Sequence, residues 1–189
     1  MANADRPNGF KPVKTISGAP LSGTIRAVGV ADGADLYVGD PINLESGLAA
    51  PGASNDTGFL GVVVGFGKFD KDGKTPLGPF NPANLNSDGL WYDDSASTHT
   101  DWVCYYVPAD DVVFEAQTAT ALTLVVGDTC DLSYAAGSAT TGQSACELTT
   151  SSNADFTVVE VPKYVDNDPA AVWGRYWVMF TRGEQAFHA

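Results

Sequence analysis

The stretch LYVGDPINL, from Leu36 to Leu44, returns 88 positions later as LVVGDTCDL, from Leu124 to Leu132, with five of nine positions identical. Leu36, Val38, Ile42 and Leu44 share one parity, so all four can face one side of a pleated strand, and Leu124, Val126, Cys130 and Leu132 repeat that pattern. Asp40 and Asp128 fall on the same parity. A buried, unpaired carboxylate is costly, so Gly39 and Gly127 are expected to mark bends that turn the Asp outward to bind nearby backbone N–H groups. The two stretches then read as strand–bend–strand corners. Five matches in nine fit an accident of a Val- and Gly-rich chain as well as a duplicated scaffold.

Outward from the corners, the chain has the texture of short strands. TIRAVGVA precedes the first corner, and FLGVVVGFGKF (Phe59 to Phe69) follows it. DWVCYYV, DVVFEAQ and ALTLVVG lead into the second; DLSYAAG, SACEL, FTVVEV and VWGRYWVMF complete the chain. Strong helix formers are scarce, while Thr, Val and aromatics are plentiful. The fold predicted is all-β, a single β-barrel or β-sandwich of about ten short strands over residues 24–189. Residues 1–23, with Pro7, Pro12 and Pro20 and no helical period, read as an extended N-terminal arm outside the core. Residues 75–100, rich in Pro, Asn, Ser and Asp, read as a long loop insertion.

Charge narrows the partners. The chain carries 10 basic and 23 acidic residues, a net −13. The first 26 residues hold Arg6, Lys11, Lys14 and Arg26 against Asp5 alone, or +3, which leaves −16 for the remainder. So acidic a body repels nucleic acid and anionic membrane, and neither is an expected partner. The basic segment suits contact with something acidic, or simply keeps that terminus soluble. No run approaches a membrane span, and MANADRPNGF lacks the apolar core of a signal peptide. Synthesis and folding in a cytoplasm are expected, in keeping with three cysteines at unmatched spacings.

Reactive constellations are sparse. The two histidines, His99 in a Ser/Thr-rich loop and His188 near the C-terminus, are poorly placed for a rigid catalytic base. DKDG (Asp70 to Gly73) resembles the start of a calcium loop without its later ligands and reads as a hairpin turn. Asp93, Asp94, Asp166 and Asp168 read as loop acids, and Cys104, Cys130 and Cys146 lack zinc-site spacing. Asp110, Asp111 and Glu115 suggest glycosidase carboxylates only if Trp91, Tyr92 and Trp102 line a cleft beside them. No phosphate-cradling glycine loop precedes a helix. No catalytic residue, cofactor or metal is assigned.

The order of motifs adds a resemblance. MANADRPNGFKPVKTISGAPLSG, then YVGDPINLESG, LGVVVGF, YYVPADDVVFEAQ, VGDTCDL and TTGQSACEL, resembles the head decoration (cement) proteins of tailed bacteriophages, particularly of marine phages. The insertion over 75–100 departs from that pattern. The resemblance implies a non-enzymatic virion protein on the outer capsid surface, made in the host cytoplasm. It implies binding to the major capsid protein, commonly as a homotrimer at three-fold positions, so as to clamp the expanded, DNA-filled head. Under that reading Arg6, Phe10, Lys11, Pro12 and Lys14 are the candidate capsid-binding arm, with Phe10 as apolar anchor and the cations meeting shell carboxylates. Trp91, Tyr92, Trp173, Tyr176 and Trp177 are the candidate oligomer interface. A carbohydrate-binding adhesion module and a tail structural module are the alternatives.

Overall fold

A computed structural model describes residues 3–5, 8–31, 35–54, 56–68, 91–92 and 102–186. Arg6, the DKDG turn, His99, His188 and all of the insertion except Trp91 and Tyr92 lie outside the described residues. The chain is all-β, as its composition predicts. β2 (Arg26–Gly29), β4 (Pro41–Glu45), β5 (Leu48–Pro51), β6 (Phe59–Lys68) and β8 (Trp102–Pro108) form one antiparallel sheet in the order β2-β8-β6-β4-β5. A second sheet contains β1 (Lys11–Thr15), β9 (Val112–Gln117), β10 (Thr129–Ser133), β11 (Glu147–Thr150), β12 (Phe156–Glu160) and β13 (Arg175–Phe180), in the order β1-β9-β13-β12-β10-β11. β3 (Leu36–Tyr37) pairs with β7 (Trp91–Tyr92) beside the first sheet.

Set β1 aside and the two sheets have one topology. β2, β4, β5, β6 and β8 correspond in chain order and in sheet position to β9, β10, β11, β12 and β13. Registers agree as well. Ile42 faces Gly61 as Cys130 faces Phe156, and Val63 faces Tyr106 as Val158 faces Val178. Each sheet has a bulge at the next step, between Val63 and Gly65 in one and between Val158 and Glu160 in the other. The chain leaving β2 touches β5 at a single parallel bridge, Val30 to Ala49, and the chain leaving β9 touches β11 in the same way, Thr118 to Leu148. Ala31 N–H donates to Ala49 O and Ala119 N–H to Leu148 O, each at 2.9 Å. The two edges of each sheet therefore meet at one residue without a continuous ladder, and neither sheet closes into a barrel. The nine-residue repeat marks two copies of one five-stranded unit.

Each unit has its own apolar cluster. Val30, Leu36, Ile42, Val63, Phe66, Trp102 and Tyr106 pack in the first; Phe114, Leu132, Leu148, Phe156, Tyr176 and Phe180 pack in the second. The two are fused because Phe59, Val62 and Val107 from the first unit's sheet, and Ala109 just after it, pack into the second cluster. β8 shows the cost of serving both: all seven of its residues are buried, the signature of a strand covered on both faces.

The connections after β5 and β11 are anchored by acids. Asp131, 2 % exposed, accepts from the N–H groups of Ser152, Asn153 and Ala154 and from the Ser152 hydroxyl, at 2.6 to 3.1 Å. Its sequence counterpart Asn43 reaches the same kind of loop indirectly, donating to Asp56 at 2.8 Å. Burial alone would raise the Asp131 pKa, but the Ser152, Asn153 and Ala154 donors overcome it and hold the carboxyl below its ordinary range. Its stabilisation is present above the ordinary carboxylate range and lost as pH falls through the lowered value. Asp131→Ala is expected to destabilise the protein by about 1–2 kcal/mol in urea titration at neutral pH, since three partly buried backbone donors lose their acceptor.

Candidate interaction surfaces

The N-terminal segment is extended, as its prolines require, yet it is built into the molecule. β1 adds to β9, with Lys11 opposite Glu115 and Thr15 opposite Val112, and a bulge falls between Pro12 and Lys14. Ahead of β1, Asn3 is pinned: its side chain donates to Asp168 O at 2.7 Å and accepts from Asp168 N–H at 2.8 Å. Beyond β1, Ser17 N–H and hydroxyl both donate to Asp111. Phe10 is 1 % exposed and stacks on Phe156, ring centroids 4.7 Å apart. Phe10 is thus a core residue and not an exposed capsid anchor, because the second unit leaves an aromatic slot that this side chain fills. The arm is an edge strand of the second sheet and belongs to the core it was expected to lie outside.

Of the predicted cations, Lys14 lies over the Trp177 ring at 4.6 Å and pairs with Glu160 at 3.2 Å, both side chains about half exposed. Such a pair contributes at most about 1 kcal/mol and can exchange partners. Lys11 is exposed and Pro12 half-buried. Trp177 continues a row across the outer face of the sheet. Its indole N–H donates to Glu115 at 3.0 Å, the Tyr164 hydroxyl donates to the same carboxylate oxygen, and Arg175 lies over the Tyr164 ring at 4.6 Å. Beside this row, under the arm, a polar cleft of about 170 Å³ is lined by residues that include Asn3, Lys11, Gln117, Asp166, Trp173 and Arg175.

The predicted interface aromatics separate. Tyr176 is fully buried, and its hydroxyl lies 2.9 Å from Leu122 O and 2.5 Å from Pro169 O, so it is a core residue that pins the approach to the second corner. Tyr92 is 1 % exposed and packs edge-on to Trp102, itself buried. Tyr92 and Trp102 line no glycosidase cleft, because both pack into the first unit's apolar cluster. Trp173 and Trp177 are half-buried on the outer side. Trp91 pairs through its backbone with Tyr37. Asp111 and Glu115 are engaged in the contacts above. The three cysteines are free and buried, and no cluster of metal-ligating side chains occurs among the described residues.

The Gly-Asp corners share their geometry. Gly39 and Gly127 have φ of 97° and 96°. Gly39 N–H donates to Val63 O, whose own N–H donates to Asp40 O; Gly127, Val158 and Asp128 repeat this, at 2.8–2.9 Å throughout. In each, the Asp carboxylate accepts the N–H three residues earlier, Tyr37 or Val125, at 2.8 Å. Their surroundings differ. Phe10 N–H donates to Gly39 O, and Val38 exchanges bonds with Gly142 O and Ser144 N–H, so the first corner is enclosed. Asp40 is therefore fully buried, not turned outward; Asp128 is half-buried. The expected parity also fails at the bend: Val126 and Leu44 are 65 % and 38 % exposed, while Leu36, Ile42, Cys130 and Leu132 are buried. Val125, 60 % exposed, joins Val126 as a surface that alternation alone did not reveal.

Burial raises the Asp40 pKa to about 6, against donors from the Ser144 hydroxyl, Tyr37 N–H and the Cys146 thiol. Burial together with Asp40 pushes Cys146 up to about 12. A raised carboxyl is neutral in both states at low pH and disfavours folding once ionised. Stability is therefore expected to fall by about 3 kcal/mol as pH rises from about 4 through 6. Asp40→Asn, which keeps the acceptor for Tyr37, is expected to remove that slope in urea titrations across pH 4–8. No protein-family model, no curated protein and no solved structure matches this chain.

Proposed function

We propose that this protein decorates the outside of a phage head, binding the major capsid protein, as a homotrimer at three-fold positions, to stabilise the expanded, DNA-filled shell. The observation that carries the reading is the basic N-terminal segment held as an outermost strand. β1 lies at the end of its sheet, presents Lys11 and Lys14 to solvent, and is followed by Ile16 at 62 % exposure. An edge of that kind accepts a strand from a partner sheet, while cations and an apolar side chain select the partner. The motif order given above and the acidic body, which disfavours nucleic acid, support the same reading. Bridging several shell subunits then adds interfaces that must break before the shell opens.

Purified protein mixed with expanded empty shells is expected to give density at three-fold positions by electron microscopy, and no bound density would overturn the reading. A variant combining Lys11→Gln, Lys14→Gln and Ile16→Gln is expected to bind shells about tenfold or more weakly, with a melting curve lowered only by loss of the exposed Lys14–Glu160 pair. Deleting the arm is the poorer test, because it removes Phe10 from the core. The Trp177–Glu115–Tyr164–Arg175 row favours a second reading, a glycan-binding adhesion module, which glycan binding by the isolated protein would support. A tail structural module would instead place a tag on virion tails.

A further inference from the structure

The duplication shows what covers a Gly-Asp corner. In the first unit, Val38 N–H donates to Gly142 O at 3.0 Å and Val38 O accepts from Ser144 N–H at 2.9 Å. Residues 142–144 belong to the connection between β10 and β11, so one unit's connection seals the other unit's corner. In the second unit the corner has the same φ and the same internal bonds. Yet Val125 and Val126 stand in solvent, and among the described residues none pairs with Val126. The connection that would return the contact is the β4–β5 hairpin. It turns on Ser46 and Gly47 alone, where its counterpart spans residues 134–146, and it does not cover the valines within its own chain. Its end also carries apolar side chains in solvent, Leu44 at 38 % and Leu48 at 40 %.

We propose that the second corner of one chain receives the β4–β5 hairpin of a second copy, the element that corresponds to the connection sealing the first corner. Every chain has both a donor hairpin and an acceptor corner, so the contact is head-to-tail and closes a ring when the rotation allows. Leu48, on the opposite face of the hairpin from Leu44, leaves water against Val125 and Val126, giving an apolar contact between chains of net charge −13. Added salt screens the repulsion and strengthens this association, the reverse of an ion-paired interface. The inference stands on the duplicated geometry and does not require the capsid reading; self-association is measured without shells.

Sedimentation velocity of the full chain tests it. The wild type is expected to self-associate, more strongly in added salt. Val126→Asp and Leu48→Asp are each expected to weaken association about tenfold or more, since a carboxylate without a partner enters an apolar contact. Val165→Asp, at a loop position 92 % exposed, is expected to leave it unchanged. All these side chains are exposed, so melting curves should coincide. Under oxidation, a mixture of Val126→Cys and Leu48→Cys chains is expected to form a disulfide joining one chain of each kind, identified by peptide mass spectrometry. A wild type that stays monomeric at its highest soluble concentration, assembly unaffected by either aspartate, or absence of that cross-link would overturn the proposal.

Discussion

Phe10→Ala is expected to lower the unfolding free energy by about 3–5 kcal/mol, the usual cost of removing a fully buried Phe. The ring stacks on Phe156, which in turn packs with Phe59 and Phe180 at centroid distances of 6.1 and 4.8 Å. Removing it opens a cavity where the arm, the second cluster and the first unit's sheet converge. Two effects add: lost transfer energy, and loosening of β1, whose entry is fixed by Phe10 N–H donating to Gly39 O. Urea titration monitored by tryptophan fluorescence reads the result as a lower midpoint. Unchanged stability would mean that Phe10 is free to leave the core, as an anchor for a partner must be.

Gly39→Ala and Gly127→Ala form a matched pair with unequal expected costs. Both positions have left-handed φ, so each substitution incurs strain of about 1 kcal/mol. At Gly127 an added methyl meets nothing within 4 Å, and the cost stops there. At Gly39 it would sit 2.4 Å from the carbonyl oxygen of Asn8, a backbone atom held by the docked arm. The arm must then move, at a further cost of about 1–3 kcal/mol, as for other overpacked cores. Thermal melts of the two variants should therefore differ by several degrees, with Gly39→Ala the lower. Equal melting temperatures would show that the arm does not press on the first corner.

The fold was largely legible because its signals are local. Alternating Val, Thr and aromatic runs specify strands, and the two Gly-Asp stretches mark bends of the same φ. The duplication behind them was not legible beyond nine residues. Corresponding strands such as WVCYYVP and RYWVMF share a register but no identities in it, and the first is buried throughout where the second alternates. The site residues fared unevenly for one reason, which is that burial depends on what crosses a surface. Nothing local to Phe10 shows that the second unit leaves an aromatic slot for it. Nothing local to Asp40 shows that the 142–146 segment encloses it, while Asp128 with the same neighbours stays partly in water. Alternation placed Val126 and Leu44 inside, and only the bend at each corner and the hairpin end carry them out.

The docked arm also sets an order of events. Asn3 bonds to the loop at Asp168, across a separation of 165 residues, and β1 needs β9 before it has a partner. During synthesis the first unit can assemble its five strands while β1 still has no strand to pair with. Contacts closed over so long a span form late, because loop-closure entropy must be met first. The arm is made before both units yet fixed last, and until the second unit emerges Phe10 lacks the aromatic slot that buries it. In that interval a nascent chain is open to exchange of its arm with a neighbour on the same message, a route to domain-swapped pairs that slow translation of the second half would favour.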